Sequence, residues 1–346
     1  MPGTSRTLAQ LEAWQATAVE AVIEPGRRIV DPHHHMWLRP PEAYQLPELM
    51  AELNSGHDVR ASVFVQNNAM YRASGSEPMR AVGETEYVNG VAAMSASGMF
   101  GPQRLCAGIV GFADLRLGSE VRAVLEAHKA SAGARFKGVR QQAQWDPELG
   151  AMARVPPPQG LLANPDFRAG FAELAPLGLR FDAWIYFHQL DELRDLARAF
   201  PETTIILNHI GAPLGIGPYA ERRNQVFDAW SADMRALAAC PNVVVKLGGL
   251  GMPSYGFGFD LRDTPAPSAE LAEAWRPYIE LCIEAFSPAR CMFESNFPVD
   301  KASCSYRTLW NAFKRIAAGA SEDEKAALFE GTARHVYDLG SEGIEN

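Results

Sequence analysis

The segment "IVDPHHHMW", residues 29–37, places three adjacent histidines directly after a short apolar run. In a β-strand, alternate side chains point to the same face, so His33 and His35 share one face and His34 points to the other. Two imidazoles on one face are typical of a metal site or of a proton-transfer pair. The segment therefore predicts a strand that ends in a functional site, whose other groups must come from distant parts of the chain.

Seven further apolar runs follow along the chain, and most of them end in polar residues. They are "RASVFVQNN" (60–68), "LCAGIVGFADL" (105–115), "RFKGVRQQ" (135–142), "LRFDAWIYFHQL" (179–190), "TTIILNHIG" (203–211), "NVVVKLGGL" (242–250) and "RCMFESNFPVD" (290–300). Segments with helical character separate most of the runs. Such alternation predicts an α/β fold with a parallel sheet covered on its faces.

Eight such units in roughly 300 residues predict a (β/α)8 TIM barrel. A doubly wound open sheet is the alternative, and it is disfavoured because polar residues follow nearly every strand, as they do around a barrel mouth. We divide the chain into an N-terminal helical extension, residues 1–27, and a single barrel domain, residues 28–346. The extension covers the barrel bottom or contributes to a homo-oligomer interface, and the sequence leaves both open. Two long loops rich in Pro or Gly, 145–165 and 251–268, are predicted to be lids.

The composition excludes several classes of protein. Apolar residues make up 47% of the chain, which permits a full core, and the formal charge of −9 argues against a nucleic-acid or anionic-membrane partner. Five cysteines without a C-x-x-C pair do not indicate disulfides and predict a cytoplasmic location. The N-terminus lacks the continuous apolar region of a signal peptide, and no apolar run reaches the ~18 residues of a membrane helix. The isolated histidines His57, His128 and His335 are predicted to lie at the surface.

Further polar side chains follow the strands that come after the first. His188 and His209 end the fifth and sixth runs, and Asn296 and Asp300 lie at the end of the eighth. In a barrel these ends meet at one mouth, so we expect these groups to converge with the first histidine pair.

Five other residues are candidates for contact with a small-molecule substrate. Arg140 suits a substrate carboxylate, and Lys246 offers a second cation, although either one could instead form a structural ion pair. Trp37, Trp145 and Tyr186 are candidates for an aromatic pocket wall, and ordinary core packing is the alternative.

Three stretches together resemble a known family. "DPHHH" at 31–35 looks like the D-x-H-x-H signature of the amidohydrolase superfamily, while "ILNHIGAP" (206–213) and "FESNFPVD" (293–300) resemble its amidohydrolase-2 branch. That branch includes 2-pyrone-4,6-dicarboxylate lactonase and sugar-acid lactonases. The resemblance extends from about residue 28 to the last helix, and four histidines in the expected order make it specific.

The resemblance implies hydrolysis of a C–O or C–N bond at the barrel mouth. It implies that His33 and His35 bind a divalent metal and that His188 and His209 complete the metal site or transfer protons. It also implies a general base at the end of the eighth strand, where this chain has Asn296. An amide cannot serve as a base, so the alternatives are Asp300, Glu294 or one of the histidines.

The end of the fourth strand lacks an anionic residue that would bridge two metals, so the prediction is at most one divalent ion, zinc or manganese, with His33, His35 and His209 as ligands. Action without a metal is the alternative. The expected function is hydrolysis of a small lactone or related cyclic ester. A metal-dependent decarboxylase or hydratase of an aromatic-derived acid and a non-catalytic binding barrel are the rivals.

Overall fold

Eight parallel strands form one sheet in the same order in which they occur along the chain. The computed structural model describes residues 6–40, 42–150, 152 and 156–340. The strands are β1 (Arg28–His34), β2 (Trp37–Arg39), β3 (Glu42–Tyr44), β4 (Asp58–Val65), β5 (Arg104–Gly111), β6 (Phe136–Gln142), β7 (Arg180–Trp184), β8 (Ile205–Leu207), β9 (Val243–Leu247) and β10 (Cys291–Phe293). The large sheet runs β1-β4-β5-β6-β7-β8-β9-β10, and β2 and β3 form a separate antiparallel pair.

The two edges of this sheet meet at their carboxyl ends. His34 pairs with Phe297 in a parallel bridge, the amide of His35 donates to the Phe297 carbonyl at 2.8 Å, and the amide of Asn296 donates to the His33 carbonyl at 2.9 Å. These bonds connect β1 to the segment after β10 and close the sheet. The predicted (β/α)8 TIM barrel is confirmed, and each of the eight predicted apolar runs overlaps one of its eight strands.

Helices follow the barrel strands and cover the outside of the sheet, except α1, which precedes the first strand. They are α1 (Leu8–Gln15), α2 (Leu46–Leu53), α3 (Val82–Ala96), α4 (Val121–Ala132), α5 (Pro165–Phe171), α6 (Leu190–Ala199), α7 (Arg223–Ala238), α8 (Ser268–Phe286), α9 (Tyr306–Ile316), α10 (Glu322–Ala326) and α11 (Thr332–Val336). In α6 the buried residues Leu190, Leu193, Leu196 and Ala197 recur at helical spacing. None of the described helices combines the length and apolar character needed to cross a bilayer.

The barrel interior is apolar below and polar above. Inward side chains such as Val30, Ile206 and Met292 form one buried cluster with Val336 and Tyr337 from the C-terminal segment, which therefore fills the lower end of the barrel. The next inward positions towards the carboxyl ends are polar. This layering places the polar groups at the mouth, above a buried apolar layer.

The N-terminal helix α1 packs near the mouth. The side-chain amide of Gln15 donates to the Lys301 carbonyl at 2.6 Å, and the Arg6 guanidinium donates to the Asp260 carbonyl at 2.7 Å. Both acceptors follow the carboxyl ends of barrel strands. Within the described residues, the contacts of α1 therefore do not support a position at the barrel bottom.

Two histidines that were predicted at the surface are buried, and that prediction is wrong for them. His128 stacks on Phe136 with ring centroids 4.8 Å apart, and both of its ring nitrogens are hydrogen bonded. His57 Nδ1 lies 2.8 Å from Lys314 Nζ. Burial costs these rings little because their polar atoms have partners. His335 is exposed, as predicted.

Candidate active site

Three buried side chains converge at the barrel mouth from distant parts of the chain. His33 Nδ1 lies 2.7 Å from Glu294 Oε2, and His209 Nδ1 lies 2.6 Å from Glu294 Oε1. The rings of His33 and His209 have their centroids 4.6 Å apart. One carboxylate therefore contacts two imidazoles, and we call His33, His209 and Glu294 the mouth triad.

The adjacent histidines of β1 take opposite faces, as strand alternation predicts. His35 Nε2 lies 3.3 Å from His33 Nε2, and His35 Nδ1 lies 2.7 Å from the Val65 carbonyl. Since a carbonyl only accepts, His35 carries its proton on Nδ1 and turns an unprotonated Nε2 towards His33. His34 points outward and pairs with the Ser62 hydroxyl at 2.9 Å.

A strained turn presents His209. The φ angles of His209, Ile210 and Ala212 are 54°, 49° and 43°, in the left-handed region. Each non-glycine residue there costs about 1–2 kcal/mol, so surrounding contacts must hold the turn. The amide of His209 donates to Glu294 Oε1 at 3.1 Å, and the Trp230 indole donates to the Ile210 carbonyl at 2.8 Å.

An ion pair supports the mouth triad from below. Lys246 Nζ lies 2.7 Å from Asp182 Oδ1 and 3.2 Å from His33 Nδ1. Asp182 also accepts from the Tyr337 hydroxyl at 2.9 Å and from the Asn208 amide at 2.9 Å. Lys246 is fully buried, and this placement matches its predicted alternative role as an ion-pair partner rather than a substrate ligand.

Arg140 lies beside the mouth triad on β6. One guanidinium nitrogen is 3.3 Å from His33 Nε2, and the other donates to the Gln66 carbonyl at 2.6 Å. Burial lowers the pKa of Arg140 to about 10, so the group stays charged at neutral pH. It places a positive charge next to the ring of His33.

Burial shapes the protonation of the triad. Burial, reinforced by Lys246, lowers the pKa of His33 well below its usual value, and burial with Arg140 does the same to His209. Both imidazoles are therefore neutral near pH 7. Burial raises the pKa of Glu294 to about 8, and the Lys246 charge opposes this shift, so the proton affinity of the carboxyl lies close to neutral pH.

The predicted residues Asn296 and Asp300 contact each other. The Asn296 amide donates to Asp300 Oδ1 at 2.7 Å, and the amide of Gly251 donates to Asp300 Oδ2 at 2.9 Å. Burial raises the pKa of Asp300 to about 8. The observed contacts thus bring Glu294, rather than Asp300, against the imidazoles. Glu294 enters the sequence-based prediction only as one alternative base.

His188, Trp145 and Tyr186 form a group of their own. His188 Nε2 lies 3.0 Å from the Trp145 carbonyl, and its ring centroid is 6.3 Å from that of Tyr186. The described contacts of His188 do not reach the mouth triad. Instead Trp184, which was not predicted, packs its ring 4.7 Å from that of His209.

Trp37 lies on the β2–β3 hairpin, where it packs against Tyr44 with ring centroids 6.1 Å apart. It is buried, and Arg39 covers it, so its observed contacts are those of a packed hairpin.

A cavity of about 490 Å³ opens beside the mouth, at the carboxyl ends of β4, β5 and β6. Its wall combines the side chains of Gln66 and Gln142 with Asp114 and the apolar surfaces of Phe112 and Leu161. Gln66 lines this cavity and its carbonyl accepts from Arg140, whereas the mouth triad itself does not line the cavity.

The family follows from residues 30–339, which match the family model described as Amidohydrolase. The chain belongs to the amidohydrolase family. It is 34% identical over 331 residues to the uncharacterized protein y4mH of Sinorhizobium fredii, covering 89% of this chain and 98% of that protein. It is 28% identical over 234 residues to the L-fucono-1,5-lactonase of Burkholderia multivorans, covering 67% of this chain and 72% of that enzyme. This amidohydrolase is therefore an enzyme, and the prediction of a non-catalytic barrel is set aside.

Solved structures share the fold. A zinc-bound amidohydrolase of Burkholderia multivorans superimposes with a TM-score of 0.68 at 23% identity, covering 90% of this chain and 99% of that one. A putative 2-pyrone-4,6-dicarboxylic acid hydrolase of Pseudomonas putida gives a TM-score of 0.58 at 17% identity, covering 91% and 98%.

The donors of the mouth triad fit one divalent metal ion. One atom from each of His33, His209 and Glu294 lies within 4.8 Å of the others, and two imidazoles with a carboxylate form a donor set that zinc accepts. His35, which was predicted as a ligand, is not part of this group and contacts His33 instead. Among the described residues, the candidate metal-binding group thus contains Glu294, and the role of His35 as a ligand stays a prediction.

Proposed function

We propose that this amidohydrolase opens a lactone by attack of water on the ring carbonyl. The observation that carries the proposal is the placement of Glu294 between His33 and His209 at the barrel mouth. Glu294 accepts the proton of the attacking water, and Arg140 stabilises the negative charge that develops on the carbonyl oxygen. The ring C–O bond then breaks, and Glu294 returns the proton to the departing alkoxide.

One divalent ion held by His33, His209 and Glu294 would polarise the carbonyl and lower the pKa of a bound water. The donor set and the zinc in the similar structure from Burkholderia multivorans support this part of the proposal. Zinc and manganese are the candidates, and action without a metal is the alternative to be tested.

The substrate class that we propose is a lactone of a sugar acid. The relatives named L-fucono-1,5-lactonase and L-rhamnono-gamma-lactonase support it at 28% and 26% identity. The cavity beside the mouth also supports it, because amide and carboxylate groups can bind hydroxyls while Phe112 and Leu161 pack against the carbon skeleton. The proposed partner is thus a small molecule.

Two further predictions remain proposals. A cytoplasmic location is supported by the five cysteines, which are all buried and unpaired. Assembly into a homo-oligomer also remains a prediction, and measurement of the mass in solution would test it.

The proposal is tested by following acid release from a panel of aldonolactones with a pH indicator, with and without zinc or manganese. We expect hydrolysis well above the spontaneous rate. Glu294→Gln keeps the size of the side chain but removes the base, so kcat should fall by about 100-fold or more. Glu86→Gln on the outer face of α3 is the matched control and should leave kcat unchanged.

The same assay distinguishes the rival activities. If no lactone of the panel is hydrolysed and aromatic acids release carbon dioxide, the activity is that of a decarboxylase and the proposed lactonase is wrong. Elemental analysis of protein purified without added metal should find about one zinc or manganese per chain in the native protein and less in Glu294→Gln. Full activity after complete chelation would show that the reaction needs no metal and would leave the proposed hydrolysis intact.

A further inference from the structure

The loop after β9, residues 251–268, reaches back to the strained turn that carries His209. The Tyr255 hydroxyl donates to the His209 carbonyl at 2.5 Å, and Tyr255 is 1% exposed. The hydroxyl thus binds the backbone of the residue whose side chain contacts Glu294.

The loop itself is held firmly against its neighbours. The amide of Gly215 donates to the Ser254 carbonyl at 2.9 Å, and the Arg223 guanidinium donates to the carbonyls of Tyr255 and Gly256 at 3.0 and 2.8 Å. A side chain at Gly256 has no room, because its Cβ would lie 2.0 Å from the Gly215 oxygen. Tyr255 is therefore a fixed point rather than part of a mobile lid.

The strained turn needs such a fixed point. Left-handed conformations of β-branched residues persist only where the surroundings enforce them, and Ile210 is β-branched with a φ of 49°. Tyr255 binds the carbonyl before Ile210, and Trp230 binds the carbonyl of Ile210 itself at 2.8 Å. Two donors from two different elements thus hold consecutive carbonyls of the turn.

We infer that Tyr255 is a positioning residue of the catalytic site, which holds His209 in the orientation that directs Nδ1 at Glu294. The inference rests on the proposed function. It assigns the loop after β9 to preorganisation of the mouth triad, and it leaves contact with substrate to other residues.

The test compares Tyr255→Phe with Tyr44→Phe, since the buried Tyr44 hydroxyl has no hydrogen-bond partner among the described residues. We expect Tyr255→Phe to lower kcat by about 100-fold, because small displacements of catalytic groups have effects of this size. KM should change less than kcat, and Tyr44→Phe should change neither. In the metal-free protein, the 15N resonances of the His209 imidazole, assigned with His209→Gln, should shift in Tyr255→Phe only.

A second change separates positioning from loss of folding. Ala212→Gly relieves a left-handed residue of the same turn, because glycine adopts positive φ without steric cost. Added to Tyr255→Phe, it should restore part of kcat and the native His209 resonances. Should Tyr255→Phe fail to fold, Trp230→Phe supplies the same measurement from the other side of the turn.

Unchanged His209 resonances together with unchanged kcat in Tyr255→Phe would overturn the inference and leave the lactonase intact. A native protein that hydrolyses no lactone would overturn the proposed function instead. In that case the His209 resonances still decide whether Tyr255 positions the imidazole.

Discussion

Glu294 shows how a single residue position decides the chemistry of the mouth. The resemblance to amidohydrolases implies a carboxylate where this chain has Asn296, and the structure brings Glu294, two residues earlier, against both imidazoles. Alternate residues of a strand share a face, so Met292, Glu294 and Asn296 are all candidates for the barrel interior. That periodicity is the signal that identifies Glu294 from sequence.

Asn296→Asp should destabilise the protein and should not increase hydrolysis. The new carboxylate would take the place of an amide that donates to Asp300 at 2.7 Å, and two buried carboxylates cannot both ionise there. In the native protein Asp300 already retains a proton up to about pH 8. The added carboxyl would retain a second proton relative to the unfolded chain, so the destabilisation relative to the native protein should grow as the pH rises above about 4 and reach about 3 kcal/mol. Urea unfolding at several pH values checks this, with Asn224→Asp on the surface as the control. A gain of hydrolysis in Asn296→Asp would contradict the role of Glu294.

Glu84 on α3, away from the candidate active site, makes the stability of the folded chain depend on pH. It is buried, accepts the amides of Asn67 and Ala69 at 3.0 and 2.8 Å, and burial raises its pKa from 4.5 to about 7. The folded chain thus holds this proton more tightly than the unfolded chain. The contribution to stability is complete below pH 4.5 and is lost as the pH rises to about 7.

Glu84→Gln should remove that pH dependence, because an amide oxygen accepts the same two bonds and does not ionise. Across this pH window, the free energy of unfolding of the native protein should fall by about 3 kcal/mol relative to that of Glu84→Gln. Urea unfolding measures the difference at each pH. Parallel pH profiles for the native protein and Glu84→Gln would contradict it, and Glu86→Gln is the control.

At the scale of the element, the whole loop between β9 and α8, residues 248–267, packs against the ring of His209 through Gly249. A Cβ at Gly249 would lie 2.6 Å from atoms of that ring, and Gly249 has a φ of 71°. Gly258 in the same loop also has a φ of 71°, but no atom lies within 4 Å of its position for a Cβ. The two glycines thus share a backbone requirement and differ in their neighbours.

Gly249→Ala should displace His209 and lower kcat/KM by about 100-fold. Gly258→Ala should lose about 1 kcal/mol of stability from the backbone cost of its positive φ and keep its activity. Lactone kinetics and thermal unfolding on both variants separate the clash from the backbone cost. Equal loss of activity in the two variants would contradict the proposed fit between Gly249 and His209.

At the scale of the whole molecule, the C-terminal segment connects the bottom of the barrel to its mouth. Tyr337 fills the apolar layer and donates its hydroxyl to both oxygens of Asp182, at 2.9 and 3.0 Å. Asp182 pairs with Lys246, which reaches His33. Through Asp182 and Lys246, Tyr337 thus completes the support of His33 on the first strand.

Tyr337→Phe should reduce the free energy of unfolding by about 1.5–3 kcal/mol, because a buried carboxylate loses a hydrogen-bond donor. Urea unfolding should show a lower midpoint with an unchanged slope. Tyr44→Phe removes a hydroxyl that has no partner in the described part of the chain and should not lower the midpoint. Equal effects of the two substitutions would show that the Tyr337 hydroxyl is not a significant support of Asp182.

The sequence by itself determined the barrel and the approximate place of the site. Strand and helix periodicities are local properties, so each of the eight apolar runs overlaps a barrel strand, and polar groups at their ends meet at one mouth. The opposite faces of His33 and His34 follow from the same rule.

Only the tertiary structure decided which groups touch. The pairing of β1 with β4 shifts between Asp31 and His34, and a left-handed turn carries His209 after β8. Side-chain direction at a strand end depends on such irregularities, and these depend on contacts with residues far away in sequence. The choice of Glu294 over Asp300, the burial of Lys246 under His33 and the separation of His188 from the mouth triad could therefore not be read from local patterns.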